Sequence, residues 1–209
     1  ELRTPLTNIK GYLEALTDGV VPPTRETYDL LQEEASRLVR LVEDILRLAK
    51  ADAARTDLHK IEIRVGNLIL QEFETFRPQF NAKGIGVETQ LNQWEGRLQA
   101  DPEKMSQVVT NLLQNALQYT PTGGNVRIFM EPMPGEIRVV FGNTGGELTE
   151  KDLPFIFERF YRGEKSRSRK HGGAGIGLAI VKELIGAHNG TVGAEILGGE
   201  IRIWFSLPL

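Results

Sequence analysis

Apolar residues recur at helical spacing through the first part of the chain. The first stretch places them at intervals of four and three, at Leu2, Leu6, Ile9, Leu13 and Leu16. Gly19 to Pro23 interrupts the pattern, and a second stripe follows at Tyr28, Leu31, Ala35, Leu38, Val42, Ile45 and Ala49. Two amphipathic helices, the second capped by Thr24, form a hairpin. Because such a hairpin cannot bury its seam alone, we expect a second copy to complete a four-helix bundle.

The pattern changes to a mixture of strands and helices after a small, polar stretch at 51–57, which we interpret as a hinge. Alternation predicts strands at 59–65, 85–91, 126–130, 137–141, 190–197 and 200–207. Helical spacing predicts helices at 67–82, 101–119, 153–161 and 176–188. Tight turns between consecutive strands favour a mostly antiparallel sheet with helices on one face. The predicted fold class is α+β, with a helical hairpin at 1–52 and an α/β sandwich at 58–209.

Composition and charge narrow the function classes. The 209 residues carry a formal net charge of −3 with mixed signs, which gives no indication of a nucleic-acid partner. The sequence has no cysteine, so disulfides and thiolate metal sites are excluded. No apolar run approaches the roughly 20 residues of a membrane span. Any membrane attachment is therefore expected only through segments upstream of this chain.

A glycine run, Gly173-Ala-Gly-Ile-Gly-Leu178, opens the last predicted helix. Glycines allow close backbone approach, and free amides at a helix start favour phosphate. The run is neither a dinucleotide fingerprint, since no strand directly precedes it, nor a P-loop, since it lacks the lysine. A plain turn is the alternative interpretation.

Asparagines form the other two candidate features. Asn111 and Asn115 lie one turn apart in the helix at 101–119, although asparagine is a poor helix-interior residue. Their stacking indicates an oxygen ligand for a hard cation beside a phosphate contact; ordinary hydrogen-bonded amides are the alternative. Asn143 follows a predicted strand and precedes two glycines, where its amide could pair with the edge of a base.

Taken in order, these segments resemble the motifs of sensor histidine kinases over essentially the whole chain. Glu1-Leu-Arg-Thr-Pro-Leu6 resembles the phosphoacceptor box without its histidine, which is expected directly before Glu1. The other resemblances are Asn111 to Pro121 with the N box, Asn143 to Leu148 with the first glycine box, Phe157 to Arg162 with the F box, and Gly173 to Leu178 with the second glycine box. Five motifs in register make the resemblance specific.

The resemblance implies ATP and Mg²⁺ as cofactors and assigns roles to single residues. Asn115 would coordinate Mg²⁺ on the ATP phosphates and Asn111 would contact the phosphates. Tyr119 would pack beside the adenine, whose amino group Asn143 would read. The remaining nucleotide-binding residues implied are Gly145, Arg159, Arg162, Gly173, Gly175, Gly177 and Leu178, with a mobile lid at 163–174.

The resemblance also implies a reaction and partners. The upstream histidine would accept the γ-phosphate and pass it to an aspartate of a response regulator. Glu1 would act as general base or hold the histidine tautomer, and Thr4 would position water to dephosphorylate the regulator. The family further implies a homodimer and the cytoplasmic portion of a bacterial inner-membrane sensor.

Three residues depart from the family pattern within the site. Asn143 stands where the family usually has aspartate, Glu147 replaces the second glycine of that box, and Gln118 replaces the N-box lysine. Each change reduces positive potential, backbone freedom or a charge-assisted bond, so we expect ATP to bind more weakly than with the full pattern. The changes leave two alternatives open: a degenerate nucleotide-binding scaffold or a phosphatase-only module. An ATPase of the gyrase, chaperone or mismatch-repair type, which shares the sandwich, is a third.

Overall fold

The computed structural model describes residues 3–53, 58–91, 96–146, 148–161, 163 and 175–209. Contacts between Cα atoms divide the chain into two compact units, Glu1–Ala49 and Lys50–Leu209.

The first unit is a helical hairpin of α1 (Arg3–Thr17) and α2 (Arg25–Ala53). Thr24 caps α2, because the Thr27 amide donates to the Thr24 hydroxyl at 3.3 Å. The Thr27 hydroxyl in turn donates to the Pro22 carbonyl oxygen at 3.1 Å, which fixes the turn between the helices. The predicted hairpin, its break and its capping residue are therefore confirmed.

Much of the predicted apolar seam is exposed in the single chain. Leu6 and Leu13 of α1 and Tyr28 and Val42 of α2 all present large exposed side chains. A surface of this kind is typical of helices that pack against another molecule. No helix in the described part of the chain combines the length and apolar character that crossing a membrane requires.

The second unit is an α/β sandwich, as predicted. Its helices are α3 (Val65–Ala82), α4 (Pro102–Tyr119) and α5 (Gly177–Ala187), and its strands are β1 (Ile61–Ile63), β2 (Gly86–Gln90), β3 (Leu98–Ala100), β4 (Asn125–Met133), β5 (Glu136–Thr144), β6 (Thr191–Leu197) and β7 (Glu200–Pro208). The five-stranded sheet has the order β2-β4-β5-β7-β6, in which only β2 and β4 pair in parallel. The strands β1 and β3 form a separate antiparallel pair.

Alternating residues of the central strands form the core beneath the helices. Every second side chain of the central strands is buried: Val126, Ile128 and Met130 on β4, Ile137, Val139 and Phe141 on β5, and Ile201, Ile203 and Phe205 on β7. The intervening positions form the outer face, where the Arg138 guanidinium stacks 4.2 Å from the Trp204 ring. The period-two pattern of the sequence therefore places the helices on one face of the sheet.

Two of the predicted elements are wrong or incomplete, and one strand was missed. The expected helix at 153–161 is only a 3₁₀ turn, Leu153–Phe155. The expected strand at 59–65 is limited to three residues, because its partner β3 has only three to pair with, and Val65 already begins α3. The strand β3 itself was not predicted, since three residues are too few to show a period.

His188 joins α4 and α5 from the interior of the second unit. It is 2% exposed, its Nδ1 lies 2.8 Å from the Leu184 carbonyl oxygen, and its Nε2 accepts from the Asp101 amide at 3.0 Å. These partners require a neutral ring with its proton on Nδ1. Burial lowers the pKa of His188 below its ordinary value, and the nearby Lys60 charge adds to this effect.

The Asp101 carboxylate caps α4 and extends the same connection. Its Oδ1 accepts from the amides of Glu103 at 3.0 Å and Lys104 at 3.1 Å, and its Oδ2 from the amide of His59 at 3.0 Å. Burial alone would raise the pKa of Asp101, but these amides outweigh it and lower the pKa. His188 therefore caps the end of α5 and also ties that end to the start of α4.

The depressed pKa of His188 predicts a stability loss on mild acidification. The unfolded chain takes up a proton near the ordinary imidazole pKa of about 6.5, whereas burial makes the folded chain resist protonation. The stability contributed by the neutral ring is therefore present above that pH and falls as the pH drops toward the folded pKa. For the parent chain, the urea midpoint should be lower at about pH 5.5 than at about pH 7.5. His188→Ala should lower the free energy of unfolding by about 1–3 kcal/mol at the higher pH. It should also reduce the difference in stability between the two pH values.

Substitution of His59→Gln is the matched control, because this imidazole is exposed while its amide is retained. It should leave the pH slope unchanged. A slope that disappears with His59→Gln and persists with His188→Ala would contradict the assignment.

Candidate functional site

A stripe of polar side chains runs along α4. Asn111, Asn115 and Tyr119 follow one another at intervals of four and are partly exposed, whereas the opposite side is buried through Met105, Val108, Val109, Leu112, Leu113 and Ala116. The Asn111 Nδ2 donates to the Gln107 carbonyl oxygen at 2.9 Å, which fixes the amide orientation. The side-chain amide of Asn115 makes no hydrogen bond within the described residues. Its oxygen is therefore available to a ligand.

The start of α5 lies against Asn111. A Cβ added at Gly177 would be 3.4 Å from the Asn111 Oδ1, so the glycine run predicted to bind phosphate adjoins the asparagine stripe. Ile176 precedes the helix and provides no side-chain cap. The first amides of α5, next to the partly exposed Leu178, have no side-chain partner among the described residues and favour an anion.

A glycine loop meets the other end of α4. Gly145 has a φ of +72°, and a Cβ there would lie 2.7 Å from the Pro121 Cγ, just beyond α4. Only glycine permits this backbone conformation together with so close an approach. The loop therefore holds the end of β5, which carries Asn143, next to the end of α4, which carries Tyr119.

Asn143 is the buried polar residue at the end of β5. It pairs with Val126 of β4 and Ile201 of β7 and is 4% exposed. Its Nδ2 is buried without a hydrogen-bond partner in the described residues. Buried donors are rarely left unpaired, so a ligand that accepts a hydrogen bond here would complete the site.

The F-box segment is tied to the second glycine run through its backbone. The Phe160 amide donates to the Gly175 carbonyl oxygen at 2.9 Å, and both residues have positive φ, 65° and 73°. A Cβ at Gly175 would lie 2.6 Å from the Tyr161 carbonyl oxygen. A positive φ is unusual for phenylalanine and costs free energy, so tertiary contacts must hold Phe160 in this conformation.

Arg159 is directed toward α5. Its Nη2 lies 3.7 Å from the Glu183 Oε1, with the guanidinium about half exposed. A contribution of Arg159 to phosphate binding stays a prediction.

Asp152 anchors the same segment and was missed in the sequence. The Tyr161 hydroxyl donates to its Oδ1 at 2.6 Å, and the amide and hydroxyl of Thr149 donate to its Oδ2 at 2.7 Å each. The bond from Tyr161, followed by those from Thr149, lowers the pKa of Asp152. The Thr-x-x-Asp spacing, which is similar to a capping box, was the available signal.

Lys83 is a second residue that the sequence did not reveal. Its Nζ donates to the Leu117 carbonyl oxygen at 2.7 Å, in the last turn of α4. A cation at a helix C-terminus is favourable, and this one lies beside Gln118, where the family has lysine. Its sequence separation from α4 left no local signal.

Several predicted site residues cannot be placed. Glu1, Arg162 and Gly173 lie outside the described residues, as do Glu147 and most of the lid. Thr4 is exposed on the first turn of α1. The roles of all of these residues stay predictions.

The donor set fits a nucleotide with a cation held mainly by phosphate. Among the described residues, no group of three or more His, Asp or Glu side chains could share a metal ion. A hard cation would therefore take its protein oxygen from Asn115 and its other ligands from phosphate and water, as Mg²⁺ commonly does. The unpaired Nδ2 of Asn143 fits a base edge that carries an acceptor.

Comparison with known proteins covers both units. Residues 100–209 match the histidine kinase-, DNA gyrase B- and HSP90-like ATPase family, and residues 1–54 match the His Kinase A (phospho-acceptor) domain. The signal transduction histidine-protein kinase BaeS of Escherichia coli (strain K12) is 35% identical over 210 residues, which cover all of this chain and 45% of BaeS. The chain thus spans less than half the length of that relative.

Solved structures share the fold over nearly the whole chain. Histidine kinase ThkA, in complex with response regulator protein TrrA, is 26% identical with a TM-score of 0.74, covering 100% of this chain and 58% of that chain. Full-length ShkA, in complex with AMPPNP, is 28% identical with a TM-score of 0.70, covering 99% of this chain and 43% of that chain.

Proposed function

Since this chain belongs to the sensor histidine kinases of two-component systems, we propose that it binds ATP with Mg²⁺ around α4 and transfers the γ-phosphate to a histidine directly upstream of Glu1. The phosphoryl group then passes to an aspartate of a response regulator. The match of residues 1–54 to the phospho-acceptor domain favours this reaction over that of a gyrase- or chaperone-type ATPase.

One observation carries the proposal: the asparagine stripe of α4 lies between two glycine-dependent contacts. The contact of Gly177 with Asn111 favours phosphate at one end, and the contact of Gly145 with Pro121 holds the base-reading residue Asn143 at the other. Asn111 and Tyr119 are eight residues apart, which corresponds to about 12 Å of helix. That length accommodates a base and a phosphate chain bound at opposite ends.

The residues of this chain act in the reaction by positioning and charge. The amides that begin α5 and the side chain of Asn111 orient the phosphates, and Asn115 fixes the cation. Mg²⁺, when bound, neutralises the charge that develops on the transferred group. Glu1 would accept the proton of the acceptor imidazole or hold its tautomer. The ordered backbone contact between Phe160 and Gly175 supports the base of the lid.

The exposed seam of the hairpin supports a homodimer through a four-helix bundle. The partner is a response regulator, and Thr4, exposed one turn beyond the acceptor, would position water for its dephosphorylation. In the natural protein the region would lie on the cytoplasmic side of a bacterial inner-membrane sensor.

Phosphoryl transfer can be tested by adding a single histidine before Glu1. The variant with the added histidine, incubated with γ-labelled ATP and Mg²⁺, should acquire acid-labile label on that histidine. The chain that begins at Glu1 should acquire none. Adding a receiver domain should then remove the label. Equal labelling of both chains would show that the acceptor lies elsewhere.

The phosphatase-only alternative is favoured by the three departures from the family pattern, Gln118, Asn143 and Glu147. It predicts no label on the added histidine but faster loss of phosphate from a phosphorylated receiver. Thr4→Ala should abolish that loss and leave nucleotide binding intact. The pure scaffold predicts neither activity, so the two assays separate all three functions.

A further inference from the structure

Asn143 differs from a carboxylate in its hydrogen-bonding capacity at the buried end of β5. Its Nδ2 is buried and has no partner in the described part of the chain, and a Cβ at Gly146 would lie only 3.6 Å from it. An aspartate at this position could only accept when ionised, whereas the amide both accepts and donates.

Neighbouring hydroxyls are already committed to the backbone. The Thr120 hydroxyl donates to the Ala116 carbonyl oxygen at 2.6 Å. The Thr144 hydroxyl accepts from the Asn125 amide at 2.9 Å and faces the Asn125 carbonyl oxygen at 3.4 Å. Neither hydroxyl hydrogen is therefore free to donate to a base, whereas the buried Nδ2 of Asn143 has no partner among the described residues.

We propose that Asn143 broadens base selection, so that the site binds 6-oxopurine nucleoside triphosphates, represented by inosine triphosphate, as well as ATP. The inference rests on the proposed nucleotide site and specifies its substrate class. Adenine presents a donor at position 6 and an acceptor at N1, whereas hypoxanthine presents an acceptor at position 6 and a donor at N1.

Rotation of one side-chain torsion allows the amide to match both patterns. With Oδ1 toward position 6, Asn143 accepts from the adenine amino group and donates to N1. With its ends exchanged, it donates to the oxygen of hypoxanthine and accepts from N1–H. The terminal torsion of asparagine is broad and roughly two-fold, so both orientations are accessible. A carboxylate, in contrast, would place an acceptor against the position-6 oxygen of hypoxanthine. Two acceptors cannot pair, so both oxygens would lack a hydrogen bond.

Calorimetric titration of the folded 209-residue protein with Mg²⁺ and either ATP or ITP tests the inference. The parent chain should bind the two nucleotides within about fivefold of each other. Asn143→Asp should strengthen ATP binding through a charge-assisted bond, weaken ITP binding, and raise the ATP preference by at least roughly tenfold. Asn81→Asp, the same change at an exposed position of α3, should leave the ratio as in the parent.

A further variant keeps the test decisive if Asn143→Asp does not fold. Asn143→Ala removes the hydrogen-bond donor and the acceptor together, so the binding of ATP and of ITP should weaken by similar factors. A parent chain that already prefers ATP by tenfold or more would overturn the inference and leave the nucleotide site standing. Absence of binding by either nucleotide would overturn the nucleotide site and this inference together.

Discussion

Asn115→Ala is expected to reduce histidine phosphorylation by about 100-fold or more, the range seen when one charge-stabilising group is removed from a catalytic site. The side chain is partly exposed and has no hydrogen bond in the described residues, so its removal breaks no hydrogen bond among them. Alanine also favours helix more than asparagine does. Fold stability should therefore be retained while Mg²⁺-dependent nucleotide binding is lost.

The measurement is labelling of the chain carrying the added histidine, with calorimetric ATP titrations at several Mg²⁺ concentrations. Gln114→Ala is the matched control, because Gln114 is an exposed neighbour on the same helix outside the asparagine stripe. It should label at the parent rate. If Asn115→Ala bound ATP with an unchanged Mg²⁺ dependence, Asn115 would not be the metal ligand.

Leu184→Ala is expected to destabilise the second unit by about 3 kcal/mol, a typical cost for a buried leucine that leaves a cavity. Leu184 is 0% exposed within α5, which contacts α4, β6 and β7. Its carbonyl also accepts the bond from His188, so a shift of α5 would disturb the connection to α4.

Leu197→Ala provides the same chemical change at a position that is 52% exposed, at the end of β6. It should alter the free energy of unfolding, measured by urea titration, by less than about 0.5 kcal/mol. Both midpoints should rise with saturating Mg²⁺ and ATP, because a ligand that binds only the folded state stabilises it. Equal costs for the two variants would contradict the assignment of α5 to the core.

The elements that the sequence predicted correctly are those with a repeated burial pattern. The stripes of the hairpin, the apolar side of α4 and the alternation of β4, β5 and β7 each extend over several periods, so local spacing alone reveals which face is buried. The asparagine stripe was visible for the same reason, since it occupies the other side of a periodic helix.

Elements set by distant contacts were not predictable from spacing. The segment 153–161 has helix-like apolar spacing, but Phe160 adopts a positive φ and its amide bonds to Gly175, fifteen positions later. The three residues of β3 show no period, and only their pairing with β1 makes them a strand. Tertiary contacts outweigh local preference in such short segments.

The sequence by itself determined the two-unit order, the sandwich and the identity of the candidate ligands. Only the tertiary structure decided that Gly177 lies against Asn111, that Gly145 lies against Pro121, and that the Nδ2 of Asn143 is buried with no partner among the residues described. Periodic burial is encoded locally, because the spacing of apolar residues within one helix or strand already shows which of its faces is buried. The meeting of groups far apart in the chain depends on strand register and on close backbone approach, which no local pattern contains.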